Sequence, residues 1–166
     1  MKVLVDYPTE EEEFVIAQRV TGPSSEVQAV CDTLALQALQ KECRAVYVDP
    51  SLITYAVKLV SATRNPERYE LADLGKYLTF GASPRATIGL VEGSRALALL
   101  RGRRYALPED MVDLVPDVLR HRLVLSYEAL ADNLTADQIV QRVMQKVAVP
   151  DKPMAHSHEN GNALHA

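Results

Sequence analysis

Proline predicts the start of a helix at three places in this chain. Asp49-Pro50 and Ser83-Pro84 each join a residue type that caps helices to a proline, which fits the first helical position. Pro108 opens a third helix in the same way. Apolar residues then recur at three- and four-residue steps, which is typical of one buried helical face. After Pro50, this face is predicted to be Leu52, Ile53, Ala56, Val57 and Val60.

Further helices are predicted from capping boxes and from apolar spacing. Thr9 with Glu12, and Thr135 with Gln138, have the spacing at which a threonine and an acidic or amide side chain cap each other's backbone N–H groups. Residues 25–44 carry an apolar face and predict a longer helix that begins near Ser25. The chain is therefore predicted to be mainly α, a helical bundle.

Strands are expected to be few and short. Lys2 to Val5 reads as one short strand, and Leu123 to Leu125 as a second small one. Residues 45–48 and 103–107 are predicted to be extended connections between helices. The predicted fold is thus a helical bundle with one or two short strands.

Composition excludes several classes of protein. The 166 residues are 48% hydrophobic and 24% charged, as in ordinary soluble domains, but only 5% aromatic with no Trp, so the core must be aliphatic. A formal net charge of −4 disfavours nucleic-acid binding. No apolar run approaches the ~18 residues of a membrane span. Cys31 and Cys43 lack metal-site spacing and predict reduced thiols in a cytoplasmic protein.

The familiar catalytic and metal-binding motifs are missing from the sequence. There is no G-x-x-x-x-G-K-[ST], no G-x-S-x-G, no H-E-x-x-H and no calcium-binding loop. His156 and His158 could chelate a metal weakly, but histidines in a polar tail are usually incidental. No catalytic residue and no metal ligand is predicted.

One short segment has the features of an anion site. Within Gly81-Ala82-Ser83-Pro84-Arg85, Ser83 is expected to cap the helix, Pro84 to set its first turn and Arg85 to be its second residue. A helix N-terminus offers free N–H groups and favours negative charge, so an arginine there does not stabilise the helix. Its guanidinium could bind a phosphate bidentately. The alternative is an ordinary helix start with a solvated arginine.

The region around this segment is rich in arginine. Residues 85–104 contain five arginines against one acidic residue, Glu92. They are Arg85, Arg95, Arg101, Arg103 and Arg104. The pattern fits scattered surface charge, a phosphate ligand or a face for an acidic partner.

Residues 81–86 resemble the sensor-2 segment of MoxR-type AAA+ ATPases, and the resemblance extends over roughly residues 3–150 in order. Residues 3–8, followed by the acidic run 10–13, are similar to the end of the ATPase core in that family. The first part of the family's lid resembles Val46-Tyr47-Val48-Asp49, Tyr55, Leu59-Val60 and Ala62-Thr63-Arg64. The rest of the lid resembles Gly102-Arg103-Arg104-Tyr105, Pro108-Glu109-Asp110 and Leu119-Arg120-His121-Arg122. Leu107 stands where the family commonly has a capping threonine.

The resemblance implies a division of the chain into three parts. Residues 1–20 would be a remnant of the end of the AAA+ core, a strand and a helix. Residues 21–150 would be the helical lid domain, and residues 151–166 a disordered tail. Walker A and Walker B segments are absent, so the nucleotide-binding core is expected upstream and the chain alone is expected not to hydrolyse ATP.

The resemblance also implies a function. ATP with Mg²⁺ would lie between the core and the lid, and Arg85, at the helix start formed by Ser83 and Pro84, would reach the γ-phosphate as the sensor-2 arginine. The expected partners are the core of the same protein, neighbouring subunits of a ring and von Willebrand A-domain proteins, in chaperone-like remodelling. The alternatives are a self-standing helical protein-interaction module and, disfavoured by net charge, a small nucleic-acid-binding domain.

Overall fold

The computed structural model of the protein describes residues 1–23 and 26–151, and within these ranges it is a helical bundle, as predicted. Its α-helices are α1 (Glu10–Thr21), α2 (Thr33–Ala45), α3 (Pro50–Arg64), α4 (Pro84–Leu100), α5 (Pro108–Leu119), α6 (Tyr127–Ala131) and α7 (Ala136–Lys146). Two 3₁₀ turns, Pro66–Tyr69 and Ala72–Tyr77, separate α3 from the first strand. The strands are β1 (Leu78–Phe80) and β2 (Val124–Leu125).

The two strands form a small antiparallel sheet. Leu78 lies opposite Leu125, and Phe80 lies opposite Val124 across an irregular register. The predicted strand near Val124 is therefore confirmed, whereas β1 was not predicted. The two predicted extended connections also meet, because the Tyr47 N–H donates to the Arg104 carbonyl (2.9 Å) and the Ala106 N–H donates to the Tyr47 carbonyl (2.9 Å).

The core surrounds α4, which packs against α2, α3 and α5. Two glycines of α4 bring α5 close to its backbone. A Cβ atom at Gly93 would lie 2.9 Å from Leu114 Cδ1, and one at Gly89 would lie 3.4 Å from Val118 Cγ1. Leu90, the residue after Gly89 on α4, is fully buried. Close helix packing accounts for the glycine at position 93, whereas a Cβ atom at position 89 would make only an ordinary contact.

The buried face of α3 differs from the predicted one. Ile53 and Val57 keep 40% and 47% of their surface exposed. Helices α4, α5 and α7 pack on a face rotated away from these two residues. The buried residues of α3 are Leu52, Tyr55, Ala56, Leu59, Val60, Ala62 and Thr63.

Two predictions for the N-terminal region are wrong. Lys2 to Val5 does not form a strand, because residues 1–23 and 26–151 offer it no neighbouring strand. Instead the Lys2 N–H donates to the Asp117 carbonyl (2.8 Å), and Arg120 Nη1 donates to the Lys2 carbonyl (3.0 Å). Helix α2 begins at Thr33 rather than near Ser25, because Asp32 caps it by accepting from the Ala35 N–H (2.7 Å).

The helix-start predictions were more accurate. The capping boxes Thr9–Glu12 and Thr135–Gln138 are both present, and Asp49 caps α3 ahead of Pro50. Helix α6, capped by Ser126, was not predicted. The prediction of a disordered tail falls almost wholly on residues 152–166, which lie outside the described residues. In the described part, no helix has both the length and the apolar character that a membrane span requires.

A buried ion-pair cluster joins the end of α4 to the start of α5. The Asp110 side chain is fully buried and accepts hydrogen bonds from Arg101 Nη1 (2.8 Å) and from Arg103 Nη1 and Nη2 (2.7 and 2.6 Å). It also accepts from the Leu107 N–H (2.7 Å), so α5 keeps half of a capping box despite the leucine at the cap position. Burial alone would raise the pKa of Asp110, but the bonds from Arg103, Leu107 and Arg101 lower it below the usual value.

Replacing this carboxylate tests the contribution of the cluster to stability. At neutral pH, Asp110→Asn should lower the free energy of unfolding by about 2 kcal/mol, because hydrogen bonds to charged groups contribute roughly 1.5–3 kcal/mol. Urea denaturation followed by circular dichroism measures this difference. Asp113→Asn is the matched control, because Asp113 also pairs with Arg101 but is exposed. This substitution should lower the free energy of unfolding by less than about 1 kcal/mol.

The stability difference between the parental chain and Asp110→Asn should depend on pH. Because the folded state lowers the pKa of Asp110, its stabilisation is present above the ordinary carboxyl pKa of about 3.9 and is lost as the pH falls through the lower folded-state pKa. The difference in unfolding free energy between the parental chain and Asp110→Asn should therefore shrink in acid. A difference that stays constant down to about pH 3 contradicts this assignment.

Candidate functional site

The structure places the three predicted site residues together at the start of α4. Ser83, Pro84 and Arg85 are all exposed, and Pro84 is the first residue of the helix. Ser83 occupies the N-cap position, but its side chain makes no capping hydrogen bond. The prediction that Ser83 caps α4 is wrong in this respect, because the Ala86 N–H instead turns back to the Ser83 backbone carbonyl (2.8 Å).

The first turn of α4 is consequently open to an external acceptor. Side chains bind the first turn of α1, α2, α3, α6 and α7, and Asp110 binds the start of α5. Among residues 1–23 and 26–151, no side chain does the same for α4. Pro84 has no N–H and the Ala86 N–H is bound to the Ser83 carbonyl, which leaves the Arg85 N–H at the positive end of the helix dipole.

Arg85 adds a full positive charge at this open end. Within the described ranges its guanidinium makes no hydrogen bond and no ion pair, and its side chain faces solvent. It is therefore available to bind an anion from outside the bundle. Bidentate binding of a phosphate or carboxylate is the chemistry that a guanidinium favours.

The segment before α4 is fixed to the end of α3. Thr63 Oγ1 accepts from the Ala82 N–H (2.9 Å), and Arg64 Nη1 donates to the Ala82 carbonyl (2.9 Å). Gly81 lies directly on the α3 backbone, since a Cβ atom there would be 2.3 Å from the Thr63 carbonyl oxygen. We call Thr63, Arg64, Gly81 and Ala82 the α3–α4 clamp.

Most of the other arginines near this helix are already paired. Arg95 pairs with Glu92, Arg101 with Asp110 and Asp113, and Arg103 with Asp110. Arg104 is exposed and borders a cavity of about 170 Å³ with Glu42, Ala45, Val46 and Leu99. The arginine-rich stretch is therefore largely a stabilising network, and Arg85 is set apart from it.

Histidine and acidic residues form no metal site in the part of the chain that the structure describes. No group of three or more His, Cys, Asp or Glu side chains there could hold a metal ion. The pKa of His121 is lowered by burial and by the neighbouring charge of Arg122. His156 and His158 lie outside the described residues.

Helices α1 and α2 expose apolar side chains that the bundle does not cover. No residue of either helix is buried. In the segment between them, Val27 and Val30 keep 99% and 97% of their surface exposed. The exposed residues of the two helices include Phe14, Val15, Ile16, Val20, Leu34, Leu36 and Leu39. A surface of this kind is typical of a binding face.

The chain is similar to several known proteins. Residues 73–143 match the family model of the AAA lid domain. The chain is 42% identical over 149 residues to the Mycobacterium tuberculosis protein named chaperone MoxR1. This alignment covers 90% of the chain and 40% of MoxR1. Residues 73–143 thus form an AAA lid domain, and the chain is similar to MoxR proteins. It is also 32% identical over 151 residues to the uncharacterised Bacillus subtilis protein YeaC, covering 90% of this chain and 44% of YeaC.

A solved structure supports the same fold for the lid. A candidate ATPase from Cytophaga hutchinsonii matches with a TM-score of 0.84 at 33% identity, over 91% of this chain and 46% of that protein. The chain thus spans less than half the length of each of these relatives.

The resemblance located Arg85, but the contacts that fix the lid segment around it were not predicted. Ala62-Thr63-Arg64 was noted only as part of the family resemblance, although Thr63 and Arg64 bind both backbone polar groups of Ala82. The sequence signal was Gly81, a glycine two residues before a helix cap. Such a glycine suggests a close backbone approach, but it does not identify the partner.

The close contact at Gly81 gives a direct test of the clamp. Gly81→Ala should lower the free energy of unfolding of the lid by about 1–3 kcal/mol, because its Cβ would overlap the backbone of Thr63. The control is Gly89→Ala, whose Cβ would only touch Val118 and whose helix propensity improves by about 1 kcal/mol. Urea denaturation measures both. If Gly81→Ala is as stable as the parental lid, the close contact is absent.

Proposed function

We propose that this chain works as the helical lid over ATP bound by the nucleotide-binding core of a MoxR-type AAA+ ATPase. In this proposal Arg85 is the sensor-2 arginine and contacts the γ-phosphate from the lid side. Nucleotide state would thereby be coupled to the position of the lid and to chaperone-like remodelling of other proteins. The chain alone would hydrolyse no ATP.

The observation that carries this proposal is the unpaired Arg85 at the uncapped start of α4. Every other described α-helix start is bound by a side chain, and Arg95, Arg101 and Arg103 have acidic partners. An arginine placed at the positive end of a helix, without a partner, raises the energy of the free lid. The Arg85 N–H at the helix start and the Arg85 guanidinium together favour an oxygen-rich anion such as a terminal phosphate.

Arg85 would act by binding and orienting the phosphate. In this proposal the core holds ATP and Mg²⁺, and the metal ion would neutralise charge on the phosphates. A guanidinium fixed next to a γ-phosphate stabilises the charge that spreads over its oxygens during transfer. Pro84 sets the first helical turn, and the Ser83 side chain makes no capping hydrogen bond that would occupy the Arg85 N–H.

The exposed apolar residues of α1 and α2 support the proposed contact with a core. Leu34, Leu36 and Leu39 lie on a helix whose residues are not buried by the lid itself. Covering them with the core would remove this apolar surface from water. Neighbouring subunits of a ring and von Willebrand A-domain proteins are further proposed partners, in a cytoplasmic protein.

A self-standing protein-interaction module is the second candidate function, because the same apolar face fits any protein partner. Titration of the chain with a separately purified core, followed by calorimetry, distinguishes the two candidates. Binding of the core in a nucleotide-dependent manner supports the lid. Absence of binding at all nucleotide states supports the separate module.

Replacing Arg85 tests the proposed site. In the complete ATPase, Arg85→Ala should lower the rate of ATP hydrolysis by at least about tenfold, because loss of one donor to a developing charge costs roughly 10²–10³ in rate at well-studied sites. In the isolated chain, the same change should alter the free energy of unfolding by less than about 0.5 kcal/mol. Steady-state phosphate release and urea denaturation are the two measurements.

Arg142→Ala is the matched control for this experiment. Arg142 is a half-buried arginine of α7 that pairs with Asp73, and its loss should leave hydrolysis unchanged. The isolated parental chain should release no phosphate above a blank without protein. Hydrolysis at the parental rate by the Arg85→Ala ATPase would falsify the sensor role.

A further inference from the structure

We propose that Thr63 and Arg64 are positioning residues for Arg85, because they hold the backbone N–H and C=O of Ala82, two residues before α4 starts. This inference rests on the proposed function, in which Arg85 binds the γ-phosphate. Thr63 and Arg64 lie at the end of α3, the α-helix that precedes α4 in the chain. They would act through the direction of α4 and make no contact with ATP themselves.

The hydroxyl of Thr63 is fully used in this arrangement. It accepts from the Ala82 N–H (2.9 Å) and donates to the Val60 carbonyl (2.7 Å). Thr63 is 1% exposed and Ala82 is fully buried. The Ala82 N–H therefore has no water to turn to if the hydroxyl is removed, and an unpaired buried N–H is costly.

Arg64 binds the carbonyl group of Ala82. Its Nη1 donates to the Ala82 carbonyl (2.9 Å), so consecutive residues of α3 bind both backbone polar groups of Ala82. The Arg64 charge also lies in the last turn of α3, where the helix dipole favours a cation. Arg64 therefore stabilises the end of α3 and the start of α4 together.

The distance from the clamp to Arg85 is short. Ala82 precedes Arg85 by three residues, and Pro84 has a restricted φ between them. Gly81 lies against the Thr63 carbonyl, so the segment has no space to move toward α3. A change in the Ala82 peptide would thus turn the first helical turn and displace the guanidinium at its surface. Displacements of about 1 Å at a reacting group can cost roughly 10²-fold in rate.

The hydroxyl of Thr63 can be removed with little change in shape. In the complete ATPase, Thr63→Val should lower kcat by about tenfold while the KM for ATP changes less than about twofold, because most of the nucleotide is bound by the core. Thr63→Ser retains the hydroxyl and should restore most of kcat. Arg64→Ala, at an exposed position, should lower kcat by a smaller factor without unfolding the lid.

Ser94→Ala is the matched control for loss of a buried hydroxyl. Ser94 is fully buried in α4, where its hydroxyl donates to the Leu90 carbonyl (2.7 Å), away from the clamp. Its kcat should remain at the parental value even if its stability falls as much as that of Thr63→Val. An equal loss of kcat in Ser94→Ala would show that destabilisation, and not positioning, explains the effect.

A double variant decides whether Thr63 acts through Arg85. If it does, Thr63→Val combined with Arg85→Ala should hydrolyse ATP no more slowly than Arg85→Ala alone. Effects that multiply would overturn the positioning role. Unchanged rates in Thr63→Val and Arg64→Ala, with a reduced rate in Arg85→Ala, would overturn this inference alone. An unchanged rate in Arg85→Ala would overturn the proposed function and this inference with it.

Amide exchange in the isolated chain adds a measurement that does not depend on hydrolysis. Thr63→Val should speed exchange of the Ala82 amide, while Leu90 in the middle of α4 should exchange at the parental rate. Equal exchange at Ala82 in the two chains would show that the hydroxyl does not hold the segment, and would overturn the inference.

Discussion

The close approach of α4 to α5 is the contact on which the rest of the lid depends. Glycine at position 93 makes this approach possible, because a Cβ atom there would lie 2.9 Å from Leu114 Cδ1. With α5 on one side and α3 on another, α4 becomes the central helix of the bundle. A functional group at its start is then carried on an element that the core holds from several directions, and it does not sit on a free loop.

Both ends of α4 are held by polar contacts of different kinds. At its start, Thr63 and Arg64 bind the backbone of Ala82. At its end, Arg101 and Arg103 converge on the buried Asp110 and fix the turn into α5. Two neutral backbone groups are held at one end and one ionised carboxylate at the other. Arg85 therefore has no acidic partner at the start of α4, whereas the charges of Arg101 and Arg103 at its end are neutralised by acidic side chains.

The features that could be predicted from sequence were those determined by nearby residues. Capping by Thr9, Asp49 and Thr135 depends on partners within three positions, and all three are present in the structure. The predicted strand at Lys2 to Val5 was wrong because a strand forms only where another strand pairs with it. The start of α2 was placed too early because apolar spacing at Val27 and Val30 does not guarantee a surface to pack on. The α3–α4 clamp was not predicted because Thr63 and Ala82 are distant in sequence. Arg85 was predicted as a site residue from the resemblance of its segment to a family motif, and this role stays a prediction.

A structure of the complete ATPase with a non-hydrolysable ATP analogue tests the central claim most directly. The quantity to measure is the distance from the Arg85 guanidinium nitrogens to the γ-phosphate oxygens. The account predicts a hydrogen-bond distance of about 2.7–3.0 Å, with the Ala82 backbone still bound by Thr63 and Arg64. A nucleotide-bound structure in which Arg85 points into solvent, in every subunit, would contradict it.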